Sequence, residues 1–301
     1  MTVTYHPDPR ALMRQVDALP KDMLLVIIDN ASSDAEFADI ERIAAAHPQV
    51  LLLRNDENIG LAAAVNKAVD YLAETDSARE FILLLDQDSE PQAGSIKQLL
   101  TAFLRLERAG VRVGCVGPRL LDTRTGLQHG FHCIRGWRWS RRFPAEDESE
   151  PVECANLNGS GTLMRTALFQ ELKGLDASLF IDHVDTEWAF RVLAHGHRLF
   201  GIPQAVFQHN MGDDSLRIWF FGWRVWPHRS PLRHYYLFRN AIVLMKRDYV
   251  PAVWKVWAHA KLLLTLLIHG VFDPERVKQV DCMMKGLREG WSRAPKRRRL
   301  N

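Results

Sequence analysis

Cysteine is scarce in these 301 residues and never paired: Cys115, Cys133, Cys154 and Cys282 stand far apart, with no C-x-x-C spacing. That spacing argues against a zinc site or a disulfide framework, and leaves buried free thiols in a reducing compartment as the expectation. A secretory leader is not expected either. Met1–Tyr5 has neither the basic start nor the long apolar run of one, so a cytoplasmic protein is expected. No internal repeat or low-complexity tract is present. Long apolar runs are few: the strongest candidate helix, Val253–His269, carries Lys255 and Lys261 too centrally for a comfortable transmembrane span.

What is present is an ordinary folded composition, 47% hydrophobic and 25% charged, with length enough to bury a substantial core. The net charge of +3 conceals an asymmetry. Residues 1–215 carry 21 Lys/Arg against 31 Asp/Glu, whereas residues 216–301 carry 18 against 5. The expected division follows that change of sign, an acidic domain over 1–215 and a basic helical region over 216–301. So basic a tail calls for an anionic partner, nucleic acid or a membrane surface. Trp beside Lys in Val253–His269, with Lys296–Arg299 closing the chain, favours a helix lying in the lipid interface over one packed inward.

The first part alternates. Met23–Ile28, Val50–Leu53 and Phe81–Leu85 read as buried strands. Between them, Ser32–Asp34 offers N-caps for a helix to about Ala46, and Leu61–Tyr71 has Ala and Leu at helical spacing. Strand–helix alternation predicts a mostly parallel sheet, with ligands at the strand C-termini. Residues 112–165 are Gly-punctuated and read as irregular strands and loops, an acceptor-facing subdomain.

Three constellations carry chemistry. Asp86 and Asp88 follow the apolar strand Phe81–Leu85 at i, i+2, which in a strand places both carboxylates on one face. Such a pair can hold a divalent cation, and the cation a diphosphate; the plain alternative is a solvated turn. Haloacid-dehalogenase-like phosphatases use D-x-D as well, but near the chain start and before a different turn. Second, Asp182–Glu187 crowds four ionisable groups beside Asn158–Gly161. A carboxylate at a helix N-terminus is favoured as an anion and so suited to general-base work. The competing reading makes Asp182 or Asp185 a cap and pairs Glu187 with Arg191. Third, His209 ends a short apolar run and gains a role only if it completes an oxygen-rich metal shell.

These segments together resemble the inverting family 2 glycosyltransferases, specifically the bacterial L-rhamnosyltransferase branch. The resemblance runs over most of residues 2–245 and rests on Thr4–Pro7, Ile28–Asp34, Asn58–Ala62 with Asn66, Leu85–Ser89, Gly117–Pro118, Phe180–Trp188 and Tyr235–Asn240. It implies a GT-A fold, α/β and Rossmann-like with a mostly parallel central sheet, carrying a C-terminal helical, basic appendage. It also implies a metal-dependent hexosyltransferase in which Thr4, Tyr5 and Asp29 line the nucleoside pocket with Asn58 and Gly60 near it. Asp88 would be the main metal ligand, with Asp86 on the ion or the nucleotide, His209 the C-terminal ligand, and Asp185 the base. The cofactor would be Mg²⁺ or Mn²⁺, and the donor dTDP-β-L-rhamnose, with a UDP-sugar as the alternative. The acceptor would be a lipid-linked or lipid-borne saccharide, in polysaccharide or glycolipid synthesis at the inner face of the plasma membrane. No nucleic-acid partner is expected.

Overall fold

The computed structural model describes residues 1–75, 79–123, 126–209, 214–219 and 223–293. Two compact units emerge: Met1–Cys133 with Ser140–Phe180 and Val184–Asn210, and Ile134–Trp139 with Ile181–His183 and Met211–Asn301.

The first unit opens with β1 (Thr2–Thr4), α1 (Pro9–Ala18), β2 (Leu25–Asp29), α2 (Asp34–Ala45), β3 (Val50–Arg54) and α3 (Leu61–Glu74). Local chemistry sets the helix starts. Asp8 caps α1 with Pro9 in its first turn, and Ser33 with Glu36 forms a reciprocal capping box at α2. Next come β4 (Phe81–Leu83), β5 (Leu85–Asp86), β6 (Ser89–Pro91), α4 (Ser95–Arg108) and β7 (Val113–Asp122). The chain then runs through β8 (Phe131–Arg135) and β9 (Arg138–Arg142), whose facing ends Ile134–Trp139 belong to the second unit. The first unit continues with β10 (Val152–Cys154), β11 (Leu163–Arg165), α5 (Thr166–Glu171), α6 (Val184–Ala194) and β12 (Arg198–His209).

Two sheets result. One is parallel throughout, in the order β3-β2-β1-β5. The order reverses at β1, because β2 and β3 build outward on one side and β5 returns to the other; the crevice opens where neighbouring strands diverge. Every residue of β2 is buried, and Val26 and Ile28 pack against Ala64, Ala68 and Leu72 of α3. The other sheet is mixed, in the order β10-β12-β7-β11-β4, with β6 also on β12.

The expected single strand Phe81–Leu85 is therefore divided at Leu84. There the backbone bonds to the segment before β11 instead, Leu84 N–H to the Thr162 carbonyl (3.0 Å) and Gly161 N–H to the Leu84 carbonyl (2.7 Å). The expectation of irregular structure over 112–165 is corrected too. β7 is ten residues long and lies between β12 and β11. Its glycines are sites of close approach rather than punctuation: a Cβ on Gly114 would stand 2.3 Å from the Val192 side chain, and one on Gly117 2.9 Å from Leu157.

The second unit holds the hairpin β13 (Asp214–Trp219) and β14 (Trp223–His228), then α7 (Pro231–Met245), α8 (Ala252–Phe272) and α9 (Arg276–Ser292). α7 and α9 pack closely because α9 presents Gly286 and Gly290 to the Tyr235 and Arg239 carbonyls, where a Cβ would stand 2.4 and 2.8 Å away. Lys246 donates to the last carbonyls of α9, including those of Gly290 (2.8 Å) and Trp291 (2.5 Å). Buried Asp273 accepts from His269 (2.7 Å) and pairs with His228 (3.2 Å). By length and composition alone, α8 is long and apolar enough to cross a membrane. Lys296–Arg299 lies outside the described residues.

Glu187 and Arg191 form a buried pair (2.8 Å), and Arg191 also donates to the Leu172 and Gly174 carbonyls at 2.5 and 2.8 Å. Removing one partner strands a buried charge, so Arg191→Ala is expected to cost about 3–5 kcal/mol, read as the loss in urea-unfolding free energy.

Candidate active site

The candidate metal-ligating side chains gather where the two sheets exchange strands. Asp86 ends β5 and Asp88 sits in the tight turn leading to β6. The two carboxylates are thus neighbours across a turn, which corrects the expectation of one strand face. Beyond that turn β6 runs antiparallel to β12, with Ser89 opposite His209, while β7 on the other side of β12 sets Asp122 opposite His209. Register alone brings the imidazole to the carboxylates. His209 Nε2 lies 3.1 Å from Asp86 Oδ2 and 3.5 Å from Asp88 Oδ1. One ligand atom from each of the three residues lies within 4.8 Å of the others.

The electrostatics favour a cation at this point. Burial alone would lower the His209 pKa; the hydrogen bond to Asp86 and the charges of Asp86, Asp88 and Asp122 outweigh it and raise the value above that of ordinary histidine. Two carboxylates and an imidazole suit a divalent ion; Nε2 is the nitrogen that faces the acids, and Nδ1 is buried without a partner among the described residues.

A residue the sequence reading passed over holds the turn. Gln15 of α1, fully buried, donates to the carbonyls of Asp86 (2.6 Å) and Ser89 (2.7 Å) and accepts from Thr2 (2.7 Å). The signal was present: Gln15 is the one polar member of the stripe Leu12, Gln15, Val16, Leu19. Ser160 is a second such residue, bonded to Ser89 Oγ and accepting from Asp86 N–H (3.4 Å).

Thr4 and Asp29 sit opposite each other at the C-terminal ends of β1 and β2. Asp29 is fully buried and accepts from Thr4 Oγ1 (3.0 Å), Ser32 N–H (2.9 Å) and Ser32 Oγ (2.6 Å), so it organises the strand ends. Tyr5 is exposed, and its N–H donates to Gln87 Oε1 (2.9 Å) in the turn between the two acids. Asn58 Oδ1 accepts from Asn30 Nδ2 (3.1 Å) and Gly60 N–H (3.0 Å). Gly60 has φ +84°, and a Cβ there would lie 2.6 Å from the Phe180 ring; its absence lets Leu61 N–H reach the Phe180 carbonyl at 2.8 Å.

The four ionisable groups of Asp182–Glu187 take different roles. Glu187 pairs with Arg191, as the plain reading had it. Asp185 lies in the first turn of α6, its Oδ1 accepting from Thr186 N–H at 2.7 Å and Thr186 Oγ1 at 3.3 Å. Asp185 and Asp86 line one cleft enclosing about 590 Å³, its open mouth included, with Leu61, Leu157, Gly159 and Trp188 among its walls. Asp182 belongs to the second unit, where Arg229 (2.5 Å) and Arg233 (2.8 Å) grip it and Asn240 Nδ2 donates to the Ile181 and Asp182 carbonyls. The backbone there is strained, with positive φ at Asp182 (60°) and His183 (62°).

Residues 10–173, more than half of the chain, match the sequence model of the family described as Glycosyl transferase family 2. The chain belongs to that family and is an enzyme of glycosyl transfer. Its fold is the GT-A fold. It aligns with GalNAc-T7 solved with UDP, GalNAc and Mn²⁺ (TM-score 0.57, 17% identity, 95% of this chain and 54% of that one). It aligns likewise with the mannosyltransferase PcManGT of Pyrobaculum calidifontis solved with GDP-Man and Mn²⁺ (TM-score 0.52, 19% identity, 97% and 74%). The chain thus spans about half the length of the first of these. In sequence it is similar to the dTDP-rhamnosyl transferase RfbF of Shigella flexneri, 29% identical over 84% of this chain and 81% of that protein. The N-acetylglucosaminyl-diphospho-decaprenol L-rhamnosyltransferase of Mycobacterium tuberculosis is 27% identical over 72% and 77%. Membership in this family removes the phosphatase reading of Asp86 and Asp88.

Burial acts to raise the Asp182 pKa, but the hydrogen bond from Arg233 and the charges of Arg229, Arg233 and His183 outweigh it and hold the value at about 2. A carboxylate whose folded pKa lies below its unfolded 3.8 adds stability above that pH and loses it as pH falls toward 2. Asp182→Asn is expected to remove about 2 kcal/mol at pH 6 and to flatten the stability profile below pH 4. Urea titrations at pH 6, 4 and 3 check this, and parallel profiles for both proteins would refute it.

Proposed function

We propose that this chain transfers L-rhamnose from dTDP-β-L-rhamnose to a lipid-linked or lipid-borne saccharide, with inversion at the anomeric carbon, in cell-surface polysaccharide or glycolipid synthesis. The observation that carries the reading is the cleft shared by Asp86 and Asp185, because Asp86 also belongs to the Asp86–Asp88–His209 group. The names of the rhamnosyltransferase relatives supply the donor and the type of acceptor.

In this reading Asp185 accepts the proton of an acceptor hydroxyl as its oxygen bonds to the anomeric carbon and the bond to the diphosphate oxygen breaks. Thr186 fixes the carboxylate through Oδ1, and the first turn of α6 favours its anionic form. Thr4, Tyr5, Asp29, Asn58 and Gly60 shape the nucleoside side. Asp88, Asp86 and His209 would hold Mg²⁺ or Mn²⁺, which supplies positive charge against the leaving diphosphate.

The same reading sets the enzyme on the inner face of the plasma membrane as a peripheral protein. α8 buries Trp254, Ala258, Leu262, Thr265 and His269 within its unit and leaves Val256, Leu263, Leu267, Val271 and Phe272 exposed. Lys261 lies 4.8 Å from the Trp257 ring centroid, an arrangement that suits an anionic lipid interface.

Asp185→Asn is expected to bind dTDP-rhamnose normally and to lose about 10²–10⁴-fold in turnover, the usual worth of a general base. Near-normal turnover would remove Asp185 from the role. Asp88→Ala should abolish the Mg²⁺- or Mn²⁺-dependent heat of donor binding in calorimetry, and unchanged heats would count against the metal site. A panel of dTDP-rhamnose and UDP-sugars with mass-spectrometric readout decides the donor. The full chain should float with vesicles containing phosphatidylglycerol, and Leu263→Ser/Leu267→Ser should not; recovery of the unaltered protein in the soluble fraction refutes the membrane contact.

A further inference from the structure

A second cleft shares a wall with the first. Gly159 lines the first, while its neighbours Asn158 and Ser160 line the second, together with Arg119, His129, His132 and Asn156. The second cleft encloses about 380 Å³, its open mouth included. Its lining mixes polar side chains with Leu120, Phe131 and Leu157, where that of the first is mostly apolar.

Two buried polar atoms of its lining residues have no partner among the described residues: Asn156 Oδ1, an acceptor, and Arg119 Nε, a donor. Asn156 is 6% exposed. A buried carbonyl oxygen or guanidinium N–H without a partner is costly, so each calls for a ligand group. The pair also selects that group. A phosphate or carboxylate would suit Arg119 but meet repulsion at the Asn156 oxygen, and a cation would do the reverse. A hydroxyl donates and accepts, and so suits either atom.

The amide of Asn156 faces the reaction as well. Its Nδ2 donates to Thr186 Oγ1 (3.4 Å), which donates to Asp185 Oδ1 (3.3 Å). The geometry points to the second cleft as a binding site for the hydroxyls of a saccharide acceptor, read by Asn156, whose contact through Thr186 orients the Asp185 carboxylate. This rests on the glycosyl-transfer reading above and deepens it by placing the acceptor sugar. His129 and His132, with ring centroids 5.7 Å apart, join Asn156, Asn158 and Arg119 beside the Phe131 ring, a mixed polar and apolar lining that suits a saccharide.

The test uses the full chain with Mg²⁺, dTDP-rhamnose and octyl glycosides of N-acetylglucosamine, galactose, mannose and rhamnose. Asn156→Ala should raise the acceptor KM by about tenfold, the worth of one or two hydrogen bonds, while dTDP affinity by calorimetry stays within about twofold. His129→Ala should raise the same KM, and it keeps the proposal open to refutation if Asn156→Ala fails to fold. An acceptor KM unchanged in both variants, with transfer intact, means that the cleft holds only a structural water and overturns the subsite alone. Wild-type transfer from dTDP-rhamnose that uses none of the four glycosides overturns the subsite as well. Absence of any sugar-nucleotide turnover overturns the glycosyl-transfer reading, and the subsite with it.

Discussion

The site depends on a backbone division at Leu84. β4 and β5 are separated by one residue, yet they pair in different sheets, because the Leu84 carbonyl and N–H bond to the chain before β11. That division sends Asp86 to the end of the parallel sheet beside β1 and lets the chain turn at once into β6. The partner of β6 is the C-terminal end of β12, and so His209 arrives at the acids. Each exchange satisfies the main-chain groups it displaces, as a buried backbone requires. Gln15 and Ser160 then bond to the turn's backbone and to Ser89, so the turn is held from behind while Asp86 lines the cleft.

A second constraint governs the segment before α6. Non-glycine residues at positive φ carry strain of order 1–3 kcal/mol each, and Phe180, Asp182 and His183 all adopt it. Such a conformation persists only where neighbours over-determine it. The Phe180 carbonyl is held by Leu61 N–H, and the Asp182 carboxylate by two guanidinium groups. The three carboxylates of Asp182–Glu187 therefore have separate tasks: Asp182 forms an ion cluster, Glu187 neutralises Arg191, and Asp185 alone of the three lines the cleft.

Much of this was legible from residue order. The apolar run of β2 ending in Asp29, the Ser33 cap and the Glu187–Arg191 spacing are local signals, and the structure carries them. What local pattern missed has a common cause. Gly114 and Gly117 read as breaks, but they are positions where a side chain from elsewhere needs room. Gln15 looked like an ordinary polar residue on a helix, because its partners lie about seventy positions further along the chain.

Sequence by itself determined which short stretches become strands and helices and which residue types stand at their ends. Those follow from periodicity, capping and the preference of carboxylates for strand and helix termini, all set by neighbours a few positions apart. Only the tertiary structure decided that Asp86, Asp88 and His209 converge, that Asp185 opens on the cleft of Asp86, and that Asp182 does not. Convergence depends on strand register and sheet order, which are fixed by burial and hydrogen bonding between segments up to 123 positions apart.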